Sequence, residues 1–280
     1  VGQALVFAYQ ANAEYMTTAK PPVSSLFQIG PSNFMEGKAQ AVDLARKDYI
    51  RYFLLGSEDD ESKGQADAFK EWLKILKPNV EFIGESWLPM GAGDYTPSIE
   101  KALAAKPDMV YATLQGKDLA NFTRQAKALG FFNKVAFTAP YDVGVLQELK
   151  QDMVPGVRAY SRAPFFALNT TSVKRFAEAY VNKTGLYPSD TAILALEAVR
   201  VWAQLLSTSA SLKWADLLRQ GDGMSFDFLA GPGFIKENDH QSSLGSFIGE
   251  TKWDDKYGFM TFDNLRYIPG EDLWRSLEEI

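Results

Sequence analysis

Four short apolar runs recur along the first half of this chain, at 49–55, 80–87, 108–114 and 134–138, and each ends in a polar loop that opens a helical pattern. The loops are Gly-Ser-Glu-Asp-Asp-Glu at 56–61, Pro-Met-Gly-Ala-Gly-Asp at 89–94, Gln-Gly-Lys-Asp at 115–118 and Ala-Pro-Tyr-Asp at 139–142. Strands alternating with helices predict an open α/β sheet of parallel strands flanked by helices. Parallel strands point one way, so all four loops collect along one edge, where open α/β sheets take their ligands. One pattern thus predicts both a fold class and the address of a site.

The intervening segments fit. Residues 3–18, rich in Ala, Tyr and Met, read as a helix that Lys20-Pro-Pro ends, and 23–29 read as a strand. Asn33, with Glu36 three residues on, forms a capping box for a helix reaching Arg46. Residues 62–76 place Ala66, Phe69, Trp72, Leu73 and Leu76 on one helical face. Asp94 caps the next helix, with Pro97 in its first turn, and Gly130 closes a helix over 117–129. Residues 143–151 read as a shorter helix. The texture then changes: a strand at 157–163, helices at 170–184, 189–207 and 213–220, and β-like, glycine-rich runs from 221 onward. The 189–207 helix is apolar enough, Val199 and Trp202 included, to be read as buried. The strand–helix region and the helix–hairpin region predict two lobes, with the chain crossing between them near Asn33, Arg162 and His240.

Composition narrows the function. The 280 residues are 46% apolar and 23% charged, the profile of a globular chain. A net charge of −6 without any Lys/Arg cluster argues against a nucleic-acid partner. With no cysteine, thiolate chemistry and disulfides are excluded. No apolar run approaches the ~20 residues of a membrane-spanning helix. No leader pattern precedes Val1, as in a mature exported chain, so this does not decide location. Gly91-Ala-Gly is too short for a dinucleotide loop, and no Gly-Lys-Ser/Thr follows a strand. His240, the one histidine, sits in the turn-like Asn238-Asp-His-Gln and reads as structural rather than as a base.

The ordered set of segments resembles a known family. Gly30-Pro-Ser-Asn33 before Glu36-Gly37, Gly93-Asp-Tyr-Thr-Pro-Ser98, Ala105-Lys-Pro-Asp-Met-Val-Tyr111 and Arg124-Gln-Ala-Lys-Ala-Leu-Gly130 carry the likeness, with Phe176-Ala-Glu-Ala-Tyr180, Gly231-Pro-Gly-Phe and Asp239-His-Gln241. The chain resembles the type I periplasmic solute-binding proteins of ABC importers, the Leu/Ile/Val-binding class. That resemblance implies two α/β lobes around a hinge cleft, here 1–32 with 164–240 as lobe one and 33–163 with 241–280 as lobe two. The family opens with a strand–helix half-sheet that this sequence lacks, so lobe one is expected to be incomplete. A piece of a longer protein is the favoured reading, since a lobe without its sheet leaves helix faces uncovered.

The resemblance also assigns the ligand site to the cleft loops. Asn33 occupies a polar position near the hinge, as well as reading as a helix cap. Glu61 and Gln115 stand where aromatics often cover the ligand. Tyr141 and Asp142 lie where the ligand's amino end is met, and Asp142 is suited to an ammonium group. Glu58-Asp59-Asp60-Glu61 also reads as a solvated acidic turn at a helix N-terminus, and its spacing differs from that of a Ca²⁺ loop. Arg158 and Arg162 either pair with carboxylates or meet a ligand carboxylate. The implied protein is a non-enzymatic, monomeric receptor without cofactor or metal, periplasmic or lipid-anchored outside the cytoplasm. It hands a branched-chain or other amino acid, an amide or a small aromatic acid to an ABC permease by hinge closure. The alternatives are a ligand-sensing domain of the same fold and a doubly wound enzyme.

Overall fold

The computed structural model describes residues 4–11, 25–237 and 239–275. Its first element corrects the helix expected over 3–18. Val6–Ala8 is a strand, β1, paired in parallel with β2, Leu26–Gln28. Helix propensity is worth only tenths of a kcal/mol per residue. The strand instead gains bonds from Val6 N–H to Ser25 O (2.8 Å) and from Ile29 N–H to Ala8 O (2.7 Å), and a stack of Phe7 on Phe27 at 5.0 Å. The remainder of the expected helix, and the prolines expected to end it, lie outside the described residues.

Helix α1, Asn33–Leu44, is capped by Ser32, whose Oγ accepts from Met35 N–H at 3.3 Å. The capping box expected from Asn33 and Glu36 does not form, because the Glu36 carboxylate is turned to an arginine instead. Five strands then alternate with four helices: β3 (Arg51–Ser57), α2 (Asp60–Leu76), β4 (Glu81–Leu88), α3 (Thr96–Ala105), β5 (Met109–Ala112), α4 (Gly116–Ala128), β6 (Ala136–Ala139), α5 (Val143–Leu149) and β7 (Arg158–Ser161). All four apolar runs contain strands; three are displaced by a residue or two toward the C-terminal loop, and β5 is shorter than its run at both ends. The chain next leaves the sheet through α6 (Thr171–Thr184), α7 (Asp190–Thr208), α8 (Trp214–Gly221) and a hairpin of β8 (Ser225–Phe228) and β9 (Gly231–Phe234). It returns as β10 (Ser246–Asp254) and β11 (Phe259–Ile268).

The large sheet runs β4-β3-β5-β6-β7-β10-β11. Its first five strands are mutually parallel, and β10 and β11 extend it antiparallel. Because the chain steps outward from β3 to β4 and then back across to β5, the order reverses between β3 and β5, creating a crevice at their carboxyl ends. Period-2 alternation divides the core: Tyr52 and Leu54 pack with Met35, Phe69 and Leu73 under α1 and α2, while Phe53 and Leu55 pack with Ile99, Leu119 and Phe122 under α3 and α4. Burying each such side chain is worth ~1.5–3 kcal/mol. Helices α1 and α2 touch backbone to backbone at Gly37, where a Cβ would overlap the Gln65 carbonyl oxygen.

Two further readings are corrected. Asp94 does not occupy the cap position of α3; Tyr95 does, while Asp94 Oδ1 accepts from Thr96 N–H at 2.9 Å. Helix α7 is buried along one face only. Ile193, Leu194, Val201 and Leu205 are covered, but Val199 is 59% and Trp202 47% exposed. Apolar content fixes how much of a helix can be buried, whereas its neighbours fix how much is, and the described residues bring no element over that stripe. No helix among the described residues is long and apolar enough to cross a membrane.

Candidate functional site

The carboxyl ends of β5, β6 and β7 deliver Gln115, Pro140, Ser161 and Arg162 to one cavity of about 290 Å³, joined there by Asp142 at the start of α5. The rest of the lining comes from other parts of the chain: Gln10 after β1, Glu36 in the first turn of α1, and Asp190, Thr191 and Leu194 at the start of α7. Near the cavity, the segments 28–30 and 240–242 are bound together by Gln28 N–H to His240 O (3.0 Å), Ser242 N–H to Gln28 O (2.8 Å) and Gln241 Nε2 to Gly30 O (2.9 Å). His240 itself is buried, stacked on Phe27 at 4.3 Å, with Nδ1 3.2 Å from Leu26 O, which is a structural role.

Arginine and carboxylates dominate the cavity. Arg162 donates Nε to Glu36 Oε1 at 2.8 Å and Nη2 to Glu36 Oε2 at 2.6 Å, a two-point clamp in which Glu36 is almost fully buried. Burial works against the guanidinium charge, but the charge and hydrogen bonds of Glu36 outweigh it and hold its pKa above the ordinary value. Asp190 is satisfied by backbone: Arg162 N–H (2.8 Å), Ala163 N–H (3.0 Å) and Val143 N–H (3.3 Å), and also by the Ser161 hydroxyl. Asp142 caps α5 by accepting from Val145 N–H at 2.8 Å. Burial first, and the neighbouring charge of Asp190 second, push the Asp142 carboxyl up to about 6, against the pull of Val145 N–H and Arg162.

Of the five residues singled out from sequence, Gln115 and Asp142 line this cavity. Asn33 lies buried one turn before Glu36, with Oδ1 unpartnered among the described residues. Glu61 stands in the first turn of α2, close enough for its charge to act on Arg162. Tyr141 turns the other way. It is fully buried in the core, its hydroxyl 2.8 Å from Thr123 Oγ1, and is not part of the cavity wall. Of the acidic run at 58–61, Asp59 caps α2, accepting from Ser62 N–H at 2.8 Å. Arg158 pairs with Asp43 and with Glu250 at 3.3 Å, away from the cavity.

Sequence reasoning missed Gln10, Tyr160, Ser161, Asp190, Thr191 and Leu194. Asp190 carried one signal, a Ser-Asp pair opening a long helix directly after Pro188. That signal marks a helix start but says nothing of which strand edge the helix meets.

Comparison with known proteins agrees with this fold. A family model described as periplasmic binding protein matches residues 4–256. No curated protein matches. Among solved structures, a periplasmic binding protein from Burkholderia mallei superposes with a TM-score of 0.85 at 16% identity, covering 98% of this chain and 72% of that one. A leucine-, isoleucine-, valine-, threonine- and alanine-binding protein from Brucella ovis, in its closed conformation, gives 0.82 at 18% identity, covering 99% and 73%. An ABC-transporter solute-binding protein from Rhodopseudomonas palustris, in complex with 3,4-dihydroxybenzoic acid, gives 0.82 at 17%, covering 96% and 73%. The shared architecture is the two-lobe α/β fold with a parallel-dominated sheet, and the chain belongs to the periplasmic binding protein family.

Proposed function

We propose that the chain is a non-enzymatic, extracytoplasmic solute receptor that closes over a free amino acid and presents it to an ABC permease. Lobe one is assigned to 1–32 and 164–240, and lobe two to 33–163 and 241–280. The observation that carries the reading is the cavity at the carboxyl edge of the parallel strands, walled on one side by strand ends and on the other by the first turn of α7. A ligand touching both walls favours the closed arrangement by the difference between its affinities for the two states. About 290 Å³ is at the small end of ligand pockets, which start at ~300 Å³, and suits a molecule of amino-acid size.

The charges support an amino acid over a simple aromatic acid. Glu36 takes Nε and Nη2 of Arg162 and leaves Nη1 outside the clamp, for a ligand carboxylate. Asp142 beside Asp190 supplies the negative charge that an ammonium group neutralises. An acid without an ammonium group leaves that carboxylate pair uncompensated. Gln115 offers an amide to either end of the ligand, Asn33 stands one turn before Glu36, and Glu61 acts by its charge on Arg162. The protein is proposed to act as a monomer.

A thermal-shift panel of neutral amino acids, amides and benzoates, followed by calorimetry on any hit, tests the reading. At 100 times Kd a ligand stabilises the native state by ~2.7 kcal/mol, which is easily measured. A rise with amino acids is expected. A rise with benzoates alone removes the proposed class, and no rise with any solute removes the receptor.

A further inference from the structure

A second recess, larger than the cleft and sharing no residue with it, lies between α6, the segment 165–169 and the turn joining β10 to β11. Its volume is about 660 Å³, well inside the range of small-molecule pockets, ~300–1,000 Å³. Three rings form a corner. Phe165 and Tyr187 stack at 5.0 Å with 1° between their planes, and Tyr257 stands edge-on to both, at 5.2 and 5.1 Å and 84° and 85°. Val173 and Ala177 of α6, both buried, supply an apolar flank. Such a corner accepts a flat ring by offset stacking on one wall and edge contact with the other.

The rim carries the charge. Lys256 Nζ lies 4.8 Å from the Tyr257 ring centroid and 3.1 Å from its hydroxyl, so one ammonium stands beside the aromatic corner. Lys174 projects from α6 on the other side, and its side chain makes no ion pair or hydrogen bond among the described residues. Glu178 brings one carboxylate against these two ammonium groups, leaving the recess with a net positive charge. The cleft has the opposite balance, since its Glu36, Asp142 and Asp190 face Arg162 alone. Nothing in the cleft's proposed use requires this recess.

We propose that this recess is a second binding site, which takes a small aromatic carboxylate. The ring sits in the corner of Phe165, Tyr187 and Tyr257, and the carboxylate lies between Lys174 and Lys256 as a charge-assisted acceptor. The inference rests on the recess itself and stands whether or not the cleft takes an amino acid.

Benzoate is the probe, titrated by ligand-observed NMR and calorimetry against the wild-type chain, Lys174→Glu, Tyr257→Ala and the cleft variant Asp142→Asn. Saturable binding is expected, weakened by about tenfold or more in Lys174→Glu and Tyr257→Ala and unchanged in Asp142→Asn. Benzylamine, with the charge inverted, is expected not to bind there. Lys174 is exposed, so Lys174→Glu keeps the test valid even if Tyr257→Ala fails to fold. The proposal is overturned if benzoate binding is lost in Asp142→Asn but kept in Lys174→Glu, because the only site is then the cleft. It is equally overturned if benzoate does not saturate, if benzylamine competes with benzoate for the recess in Asp142→Asn, or if an acidic peptide protects the recess while benzoate does not.

Discussion

Glu36 and Arg162, 126 positions apart in the chain, meet in a two-point clamp in the lining of the cleft, 2.8 and 2.6 Å across its two bonds. The clamp ties the first turn of α1 to the strand end that leaves β7. It also decides what the arginine can offer a ligand, since two of its nitrogens are taken. Breaking one partner of such a buried pair leaves an uncompensated charge. Glu36→Gln is therefore expected to cost ~3–5 kcal/mol, read from the urea midpoint. Combining it with Arg162→Met recovers part of that loss, and strict additivity of the two variants would show that the pair is not coupled.

Asp142→Asn separates binding from stability. Removing the carboxylate is expected to weaken amino-acid affinity by ~30-fold or more, about 2 kcal/mol. The unliganded chain is expected to melt at the same temperature or higher, because the repulsion by Asp190 and the cost of burial are relieved while an amide oxygen still accepts from Val145 N–H. Unaltered affinity would remove Asp142 from the site.

Stability of the free protein is expected to fall as pH rises from about 4 to about 7. Asp142 is pushed up to about 6. Glu197 is raised to about 7, chiefly by burial, although Leu229 N–H and Arg200 oppose the shift. Both groups hold a proton in the folded state that the unfolded chain, with carboxylates near ~4, has already released. Their stabilisation is complete below the unfolded values and is lost as pH passes through the folded ones. Urea midpoints measured across this range in wild type, Asp142→Asn and Glu197→Gln test it, and each substitution is expected to flatten its share of the slope.

Tyr141, expected at the ligand, lies in the core, and Trp202, expected in the core, is exposed. Tyr141→Ala empties a fully buried ring site and is expected to destabilise by ~3–5 kcal/mol, while Tyr141→Phe, which loses only the bond to Thr123, costs ~1 kcal/mol. Trp202→Ala, at a position 47% exposed, is expected to shift stability by less than ~1 kcal/mol. Chemical denaturation of the three variants checks both assignments.

Gly37→Ala is expected to cost more than ~3 kcal/mol, although alanine is the better helix former by ~1 kcal/mol. The added methyl has no room against the Gln65 carbonyl and the Ala68 side chain, so α1 must move off α2. A neutral or stabilising Gly37→Ala in a thermal melt would refute the close approach of the two helices.

The alternation of apolar runs and polar loops was enough to determine the parallel sheet, the direction of its strands and the edge where a cavity would lie, because those properties follow from local hydrophobic period and chain order. Gln115 and Asp142, singled out by the family resemblance, sit on those strand-exit loops and line the cavity. The sequence alone could not determine that residues 6–8 form a strand, that Trp202 faces outward, or that Tyr141 points into the core while its neighbour Asp142 points into the cleft. Successive residues at a helix start diverge by a large angle, and only the packed neighbours decide which direction is covered. The placing of Asp190 and Gln10 in the cavity lining and the clamp between Glu36 and Arg162 came from tertiary structure alone. The clamp joins residues 126 positions apart, the Asp190 bonds residues 27 to 47 apart, and no local period encodes a contact between two elements that meet only when the sheet has formed.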